Sequence, residues 1–207
     1  MKILISAGPT REYIDPVRFI SNPSTGKMGY LLAEYALKSG HSVVLVSGPV
    51  HLTYPRGVVL VKVETAQEMK DAILKHFQAS DILVMSAAVG DWKPVIRERQ
   101  KIKRKKKWLL ELVPNPDILK EVSRIKQPWQ KVVGFALETE NLINNAHRKL
   151  KEKKIDLVVA DTPTFFGNSG KSNVVFLYKD GTVEEFIDIS KRDVAKKIIR
   201  IIDRGLL

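Results

Sequence analysis

The residues best suited to chemistry lie in one long loop near the N-terminus, residues 7–29. The loop carries an asparagine, Asn22, followed by a run that leads directly into an apolar helical pattern: Ser24, Thr25, Gly26 and Lys27. Hydroxyl groups, glycines and the first N–H groups of a helix are typical partners of phosphate and other anions. The loop is about three times longer than a usual strand-to-helix connection, and such loops are usually functional or disordered.

A second chemical feature is the basic run 97–107, which holds eight Lys or Arg residues against one acid, Glu98. The run can be a solvated charged hairpin, a mobile basic flap over an anionic ligand, or a nucleic-acid-binding segment. Its position inside the domain and the lack of aromatic residues before Trp108 disfavour the last of these. The net charge of +12 implies an anionic partner, which could be a nucleic acid, a membrane surface or a multiply phosphorylated small molecule.

Composition excludes several classes of protein and site. The 207 residues contain no cysteine, so disulfides and thiolate metal sites are excluded, and a reducing cytoplasm is the expected location. Four scattered histidines make a histidine zinc site improbable: His41, His51, His76 and His147. No apolar run reaches eighteen residues and no signal-peptide pattern precedes the first strand, so we expect no membrane association.

Strands that alternate with helices must position these residues. Apolar runs predict strands at 2–6, 41–46, 57–63, 81–85, 130–136 and 155–160, and helical patterns follow at 30–40, 65–77, 117–126, 141–153 and after Ser190. This alternation predicts an α/β fold: a Rossmann-like, doubly wound, mainly parallel sheet with helices on both faces. In such sheets ligands bind beyond the carboxyl ends of the strands, which selects the loops 7–29, 47–56 and 86–95.

Smaller elements complete the prediction. Ser24 or Thr25 is expected to cap the first helix, and Thr65 and Glu68 form a capping box. Asp117 is expected near the start of the third helix, and Ser190 is expected to cap the last one. Asp180-Gly181 turns a hairpin of residues 174–178 and 183–187. A strand at 108–113 is expected to pair with the segment near 101–103, making an antiparallel flap appendage.

Two familiar phosphate motifs fail at the first loop. The pair Gly26-Lys27 resembles a phosphate-loop ending, but Ser21 and Met28 stand where that motif needs Gly and Ser or Thr. A dinucleotide fingerprint needs three spaced glycines directly after the strand, where only Gly8 is found. The pattern therefore indicates a nucleotide-binding topology without either common phosphate motif.

A run of ordered motifs resembles one known family. The motifs are 8–12, 15–29, 46–49, 87–92, 101–103, 115–117, 133–135, and Asn173 after Phe166 and Gly167. Together they are similar to phosphopantothenoylcysteine synthetase, also called phosphopantothenate–cysteine ligase, the ligase half of a bifunctional bacterial coenzyme A biosynthesis protein. The resemblance covers essentially the whole chain, and the stretch from Ile20 to Gly29 is its most specific part.

The resemblance implies an enzyme that joins 4′-phosphopantothenate to L-cysteine through an acyl-cytidylate, releasing pyrophosphate and CMP. Asn22 and Lys101 would be catalytic, and the nucleotide would contact Ala87, Ala88, Asp91, Lys101, Pro114, Asn115, Pro116, Asp117, Phe135, Lys149 and Lys153. Phosphopantothenate would contact Asn22, Gly26, Ala87 and Ala88. Mg²⁺ is expected on the CTP, with protein ligands that the sequence does not identify.

The resemblance also carries expectations about assembly. Residues 1–207 would form a single ligase domain, with a flap or dimerisation hairpin at about 92–114, working as a homodimer. A separate phosphopantothenoylcysteine decarboxylase is a possible partner, because no decarboxylase half precedes the ligase sequence. Two rival functions remain: an NAD(P)-dependent reductase on the same topology, and a basic nucleic-acid-binding module.

Overall fold

An eight-stranded sheet forms the centre of the protein, as shown by a computed structural model that describes residues 1–104, 106–162 and 170–207. In chain order the elements are β1 (Lys2–Ala7), β2 (Arg11–Tyr13), β3 (Phe19–Ser21), α1 (Lys27–Lys38), β4 (Ser42–Ser47), β5 (Val59–Lys62), α2 (Ala66–Phe77), β6 (Ile82–Met85), β7 (Trp92–Pro94), β8 (Leu112–Pro114), α3 (Ile118–Ile125), β9 (Lys131–Leu137), α4 (Leu142–Glu152), β10 (Leu157–Asp161), β11 (Lys171–Tyr178), β12 (Val183–Ser190) and α5 (Lys191–Asp203).

The strand order explains where a ligand can bind. Across the sheet the order is β12-β11-β10-β9-β6-β1-β4-β5; all pairs from β10 to β5 are parallel, and β11 and β12 are antiparallel. The direction of winding reverses between β1 and β6, so the loops after these two strands diverge and leave a crevice at the carboxyl edge. The predicted doubly wound α/β fold is confirmed.

Alternating strand residues build one core on each face. On β1, Ile3 and Ile5 pack with α1 and α5, whereas Leu4 packs on the other face with α2, α3 and α4. Strands buried on both faces read as continuous apolar runs, which is why the sequence revealed them. The two faces matter for the site because α1 and α5 lie on one side of the crevice and α3 and α4 on the other.

Helix starts follow the predicted caps with one exception. Thr65 and Glu68 form the expected capping box, and Asp117 and Ser190 cap α3 and α5. The predicted cap of α1 by Ser24 or Thr25 is wrong, because the N-cap is Gly26 in the left-handed conformation, with φ of 76°. A Cβ at this position would meet Val50 Cγ1 at 2.9 Å, so the crossing of the first loop over Gly8 requires a glycine.

The flap hairpin forms, but from other residues than predicted. Trp92 pairs with Pro114 and Pro94 with Leu112, so β7 and β8 are the two arms, whereas residues 101–104 and 108–110 belong to no strand. The expected pairing of 108–113 with 101–103 is therefore wrong. The physical reason is that the side chains of Asp15 and Arg18, in the first loop, hydrogen-bond to the backbone N–H and C=O of Ile102. These backbone groups are therefore not available to pair with a neighbouring strand.

The C-terminal hairpin is longer than expected, with β11 and β12 of eight residues each, and Gly181 takes a positive φ at its turn as predicted. Within the described residues, no helix has both the length and the apolar character that crossing a membrane requires.

Candidate functional site

A cleft of about 850 Å³ opens at the carboxyl edge of the sheet, on the side of α3 and α4. It lies where the winding reverses, between the loops that follow β1 and β6. Eleven of the thirteen predicted site residues line it: Asn22, Ala87, Ala88, Asp91, Pro114, Asn115, Pro116, Asp117, Phe135, Lys149 and Lys153. Residues separated by more than a hundred positions in sequence therefore meet in one cleft.

A smaller cavity of about 160 Å³ lies on the opposite side, between α1 and α5. Gly26, the twelfth predicted residue, lines this cavity and not the cleft. Ala87, Ala88 and Phe135 line both the cleft and the small cavity. These residues therefore form the wall between the two spaces, which we call the partition. The arrangement suits one ligand on each side, with their reacting ends at the partition.

Hydrogen bonds from the end of β1 fix the partition. Ser6 Oγ accepts from Ala87 N at 3.1 Å, and Gly8 O accepts from Ala88 N at 2.9 Å. Asn22 adds a tie from the long loop, since its Nδ2 donates to Ala88 O at 3.3 Å and to Val89 O at 3.2 Å. The backbone groups of this turn are thus positioned before any ligand arrives, as catalysis by preorganised dipoles requires.

Asn115 leaves one buried acceptor in the cleft wall. Its Nδ2 donates to Gly90 O at 2.8 Å and its backbone N–H to Asp91 O at 2.8 Å. Its Oδ1 is buried and has no hydrogen-bond partner in the described part of the chain. A buried acceptor without a partner costs about 1–3 kcal/mol, so a ligand that offers an N–H donor at this point recovers that cost.

Two lysines of α4 bring positive charge to the same cleft. Lys149 Nζ donates to Phe135 O, and Lys153 forms an ion pair with Asp117. Burial lowers the pKa of Lys149, although the carboxylates of Glu138, Asp117 and Asp91 act in the other direction. Burial would raise the pKa of Asp117, but the hydrogen bonds from Lys153 and from Lys120 N outweigh it and lower the pKa.

Lys101, the thirteenth predicted residue, is exposed and lines neither cavity. Its neighbour Ile102 is held from the first loop: Ile102 N donates to Asp15 Oδ2 at 3.1 Å, and Arg18 Nη2 donates to Ile102 O at 2.9 Å. Arg18 also stacks on Trp108, with its Cζ 5.4 Å from the ring centroid. The Arg18 guanidinium holds the pKa of the fully buried Asp15 carboxyl well below its usual range.

Sequence reasoning missed Asp15 and Arg18 as the anchor of the flap. The available signal was an Asp and an Arg three residues apart in a functional loop, which is weak without the contact to Ile102. It also missed Asp161 and Lys191, which line the small cavity and are 6% and 8% exposed. Their signals, an acid at the end of an apolar strand and a lysine opening a helix, are common in any α/β protein.

Asp161 is the most perturbed acid of the small cavity. Burial raises its pKa to about 6, although hydrogen bonds from Ser172 Oγ and Thr162 N and the charge of Lys191 act against the shift. Burial lowers the pKa of Lys191, and nearby Lys27 lowers it further, while Asp161 opposes both. The cavity therefore contains a carboxyl group that is partly protonated near neutral pH beside two cationic side chains.

Some residues singled out in the sequence lie away from the cleft or outside the described part of the chain. Phe166 and Gly167 of the resemblance, and Lys105 of the basic run, lie outside the described residues. Asn173 lies on β11, where its Oδ1 accepts from Asp188 N at 3.1 Å. In the described ranges no three His, Cys, Asp or Glu residues are grouped as a metal site.

Comparisons with known proteins agree with one another. The profile of a family described as "DNA/pantothenate metabolism flavoprotein C-terminal domain" matches residues 1–206. The coenzyme A biosynthesis bifunctional protein CoaBC of Borreliella burgdorferi is 40% identical over 97% of this chain and 52% of its own length. The protein of the same name from Bacillus subtilis is 43% identical over 96% of this chain and 50% of its own length.

Among solved structures, the C-terminal domain of a coenzyme A biosynthesis bifunctional protein CoaBC superposes with a TM-score of 0.85. It is 41% identical, and the match covers 99% of this chain and 95% of that one. The chain thus spans about half the length of the curated relatives it matches, and nearly all of this separate C-terminal domain.

Proposed function

The chain belongs to the family of DNA/pantothenate metabolism flavoprotein C-terminal domains, and from this premise we propose that it is a phosphopantothenate–cysteine ligase. In the proposed reaction the carboxylate of 4′-phosphopantothenate attacks the α-phosphate of CTP, giving an acyl-cytidylate and pyrophosphate. The amine of L-cysteine then attacks the acyl carbon and expels CMP. The product is an amide that serves coenzyme A biosynthesis in the cytoplasm.

The observation that carries the proposal is the joint placement of the predicted residues at the partition. Ten of the eleven predicted nucleotide residues line the cleft, Lys101 being the exception. Gly26 lines the small cavity, and Ala87 and Ala88 line both spaces. A reaction between a nucleotide phosphate and the acid end of a second ligand needs two spaces that meet at one point. This geometry brings the reacting groups together and so lowers the entropic cost of the encounter.

The first step joins two anions, so it needs nearby positive charge. Lys149 and Lys153 line the cleft, and the flap carries Lys101 beside the anchored Ile102. We assign Lys149 and Lys153 to binding the nucleotide and Lys101 to offsetting charge on the triphosphate. Because Lys101 lies outside the cleft lining, its part in the reaction depends on the basic flap folding over the bound nucleotide.

Mg²⁺ is part of this proposal, and the acids present fit it. Mg²⁺ on a triphosphate keeps most of its ligands from phosphate and water and takes one or two carboxylates from the protein. Asp91 and Glu138 both line the cleft and would be those carboxylates. The ion would neutralise the phosphates, while the protein residues orient them.

The second step passes through a tetrahedral oxyanion. The Asn22 amide lies at the partition and makes two long hydrogen bonds, at 3.3 and 3.2 Å, to Ala88 O and Val89 O. We assign to Asn22 the task of holding the acyl carbonyl, by exchanging one of these bonds for the acyl oxygen. A neutral amide stabilises the oxyanion without attracting or repelling the incoming amine.

The base of the nucleotide fits the wall formed by residues 114–117. Asn115 Oδ1, which has no hydrogen-bond partner among the described residues, would accept an N–H from an exocyclic amino group, which both cytosine and adenine carry. CTP is our proposed substrate because the resemblance is to the bacterial type of enzyme, and ATP is the comparison to be made in the assay.

The decisive experiment incubates the chain with 4′-phosphopantothenate, Mg²⁺ and either CTP or ATP, with and without L-cysteine. We expect pyrophosphate and an acyl-nucleotide without cysteine, and CMP with the cysteine amide when it is added. Absence of pyrophosphate with both nucleotides would refute the ligase. Binding of NADPH, or salt-dependent binding of RNA, would then favour the reductase or the nucleic-acid module.

We further propose that two copies associate through the face that carries the β7–β8 hairpin. Large apolar side chains are exposed along it: Trp92, Val95, Ile96, Trp108, Leu109 and Leu112. A patch of this kind on a protein surface usually marks an interaction site. A phosphopantothenoylcysteine decarboxylase is proposed as the enzyme that acts on the product, because the cysteine amide made by the ligase would be its substrate.

A further inference from the structure

The small cavity combines features that attract an anion with one that repels it. The N-terminus of the twelve-residue helix α1 opens into it beside Lys27, and the buried Lys191 faces it from the start of α5. Both the helix end and the lysines favour a negatively charged ligand. Asp161, an acid, lines the same cavity and is almost completely buried.

Asp161 is held in a fixed position by neutral groups. Its Oδ1 accepts from Ser172 Oγ at 2.8 Å and from Thr162 N at 2.6 Å. Both of these bonds fall on the same oxygen, Oδ1. A carboxyl group in this arrangement can carry a proton on Oδ2 and donate it to a ligand oxygen.

The charges around Asp161 come from each element that packs against it. On the face of the sheet that carries α1 and α5, Lys191 of α5 acts directly on Asp161, because its charge lowers the pKa of the carboxyl group. Lys27 of α1 acts on Lys191, whose pKa it lowers. From β11 the nearest group is the neutral Ser172, while Lys171 on that strand pairs with Asp188. After β9, Glu138 N donates to Asp161 O, and the Glu138 carboxylate accepts from Asn145.

We propose that Asp161 is a specificity-determining residue that binds the phosphate of the acid substrate only when its own carboxyl group carries a proton. The inference rests on the proposed function, because it takes 4′-phosphopantothenate as the ligand of this cavity. Each ligand bound above neutral pH then brings one proton from solvent, and this proton is shared between the carboxyl and phosphate oxygens. Lys191, Lys27 and the α1 N-terminus compensate the remaining negative charge.

The alternative, two adjacent anions in a buried site, is strongly unfavourable because like charges at short range cannot both ionise without cost. Burial already favours the protonated form of Asp161, since it raises the pKa of the carboxyl group to about 6. If binding requires this proton, the affinity for the ligand depends on pH. The affinity falls about tenfold for each pH unit above the range in which the carboxyl group of the free protein is protonated.

Calorimetric titration of 4′-phosphopantothenate, without nucleotide, tests the proposal between pH 6 and pH 9. Repeating it in buffers of different ionisation enthalpy gives the number of protons taken up. For the unaltered chain we expect close to one proton per ligand at pH 8, and a Kd that rises about tenfold per pH unit from pH 7 to pH 9. Uptake of no proton would overturn the proposal.

The variant Asp161→Asn provides the decisive comparison, because an amide donates a hydrogen bond without titrating. We expect its Kd to stay constant from pH 7 to pH 9, its proton uptake to be near zero, and its affinity at pH 9 to exceed that of the unaltered chain. The same proton uptake in both proteins, or weaker binding by the variant at every pH, would overturn the proposal. Should the variant fail to fold, the proton count of the unaltered chain still decides.

Two controls separate charge from proton linkage. Lys191→Gln should weaken binding at every pH while leaving the proton uptake unchanged, because it removes a cation and not the shared proton. Pantothenate, which lacks the phosphate, should bind without proton uptake. Phosphate binding with the predicted linkage but no ligase activity would refute the function alone, and ligase activity without the linkage would refute this inference alone.

Discussion

Asn22 and Asn115 both line the cleft, and their side-chain amides have different hydrogen-bond environments. The Asn22 amide donates two long hydrogen bonds, to Ala88 O and Val89 O, and one of them can be exchanged for a bond to the acyl oxygen. Asn115 also uses its amide nitrogen, on Gly90 O, but keeps a buried oxygen that lacks a partner in the described residues. The first is suited to hold a reacting carbonyl, and the second to recognise an amino group of the ligand.

Replacing Asn22 by Asp tests the role in the second step. The variant keeps the shape of the side chain but loses both N–H donors and adds a charge that opposes an oxyanion. We expect pyrophosphate release to continue and formation of the cysteine amide to fall by about 100-fold or more. Quenched-flow separation of acyl-nucleotide and product measures the two steps.

A matched control is Asn144→Asp, since Asn144 is exposed on α4 and lies outside the lining of the cleft. It should leave the second step within about twofold of the unaltered rate. Unchanged product formation in Asn22→Asp would show that its assigned role is wrong.

Asp161 also makes a prediction about stability. Its pKa is about 6 in the folded chain, against about 3.9 for an unperturbed aspartic acid, so the folded state binds more protons between these two pH values. The stability of the chain therefore falls as pH rises through this window, and the cost is fully present above it. Asp161→Asn should raise the free energy of unfolding at pH 8 by about 1–3 kcal/mol, and by much less at pH 4.

Urea unfolding of both proteins at the two pH values measures this difference. The control variant Asp188→Asn changes an exposed acid on β12 and should show no comparable dependence on pH. An equal effect of Asp161→Asn at pH 4 and pH 8 would contradict the assignment of a raised pKa.

At the scale of elements, the flap depends on the first loop rather than on a strand ladder. Asp15 and Arg18 bind the main chain at Ile102 from both sides, through N–H and C=O, and Trp108 lies on Arg18. This anchor leaves Lys101 and Lys103, on either side of Ile102, exposed to solvent. The β7–β8 hairpin sets the two ends of the flap, and the anchor sets its middle.

Lys101→Gln should slow the first step by about 10- to 100-fold, because one cation near the triphosphate is lost. Lys106→Gln removes the same charge further along the flap and should have an effect below about threefold. The measurement is the rate of pyrophosphate release without cysteine. Equal losses in both variants would mean that only the total charge of the flap matters.

At the scale of the whole molecule, the apolar face beside the hairpin predicts self-association. Leu109 is 81% exposed there, and Ile187 is equally exposed, at 81%, on β12. We expect sedimentation to give a dimer at micromolar concentration and Leu109→Asp to raise the dissociation constant by at least about 30-fold, the effect of losing roughly 2 kcal/mol. Ile187→Asp is the matched control and should not change it.

A monomer at micromolar concentration in the unaltered chain would reject the dimer, and an equal effect of the two substitutions would reject this face as the interface. Neither result would affect the assignment of the cleft, which is lined by residues of a single chain.

The resemblance to a known family supplied the residues of the cleft, whereas the sequence by itself determined the sheet and the caps of α2, α3 and α5. These features depend on local patterns: apolar runs mark buried strands, hydroxyl or carboxyl groups precede helices, and loops after parallel strands meet at one edge. The motif that contains Asn22 and Gly26 could be recognised because its residues are contiguous.

Only the tertiary structure decided which distant side chains meet. The start of α1 at Gly26 depends on the approach of Gly8 and Val50, and the flap depends on contact between Asp15 and Ile102. Asp161 and Lys191 share a cavity because β10 ends and α5 begins beside the same opening. Such contacts depend on the order of the strands in the sheet and on the packing of the helices against it. The spacing of residues along the chain does not determine either of these.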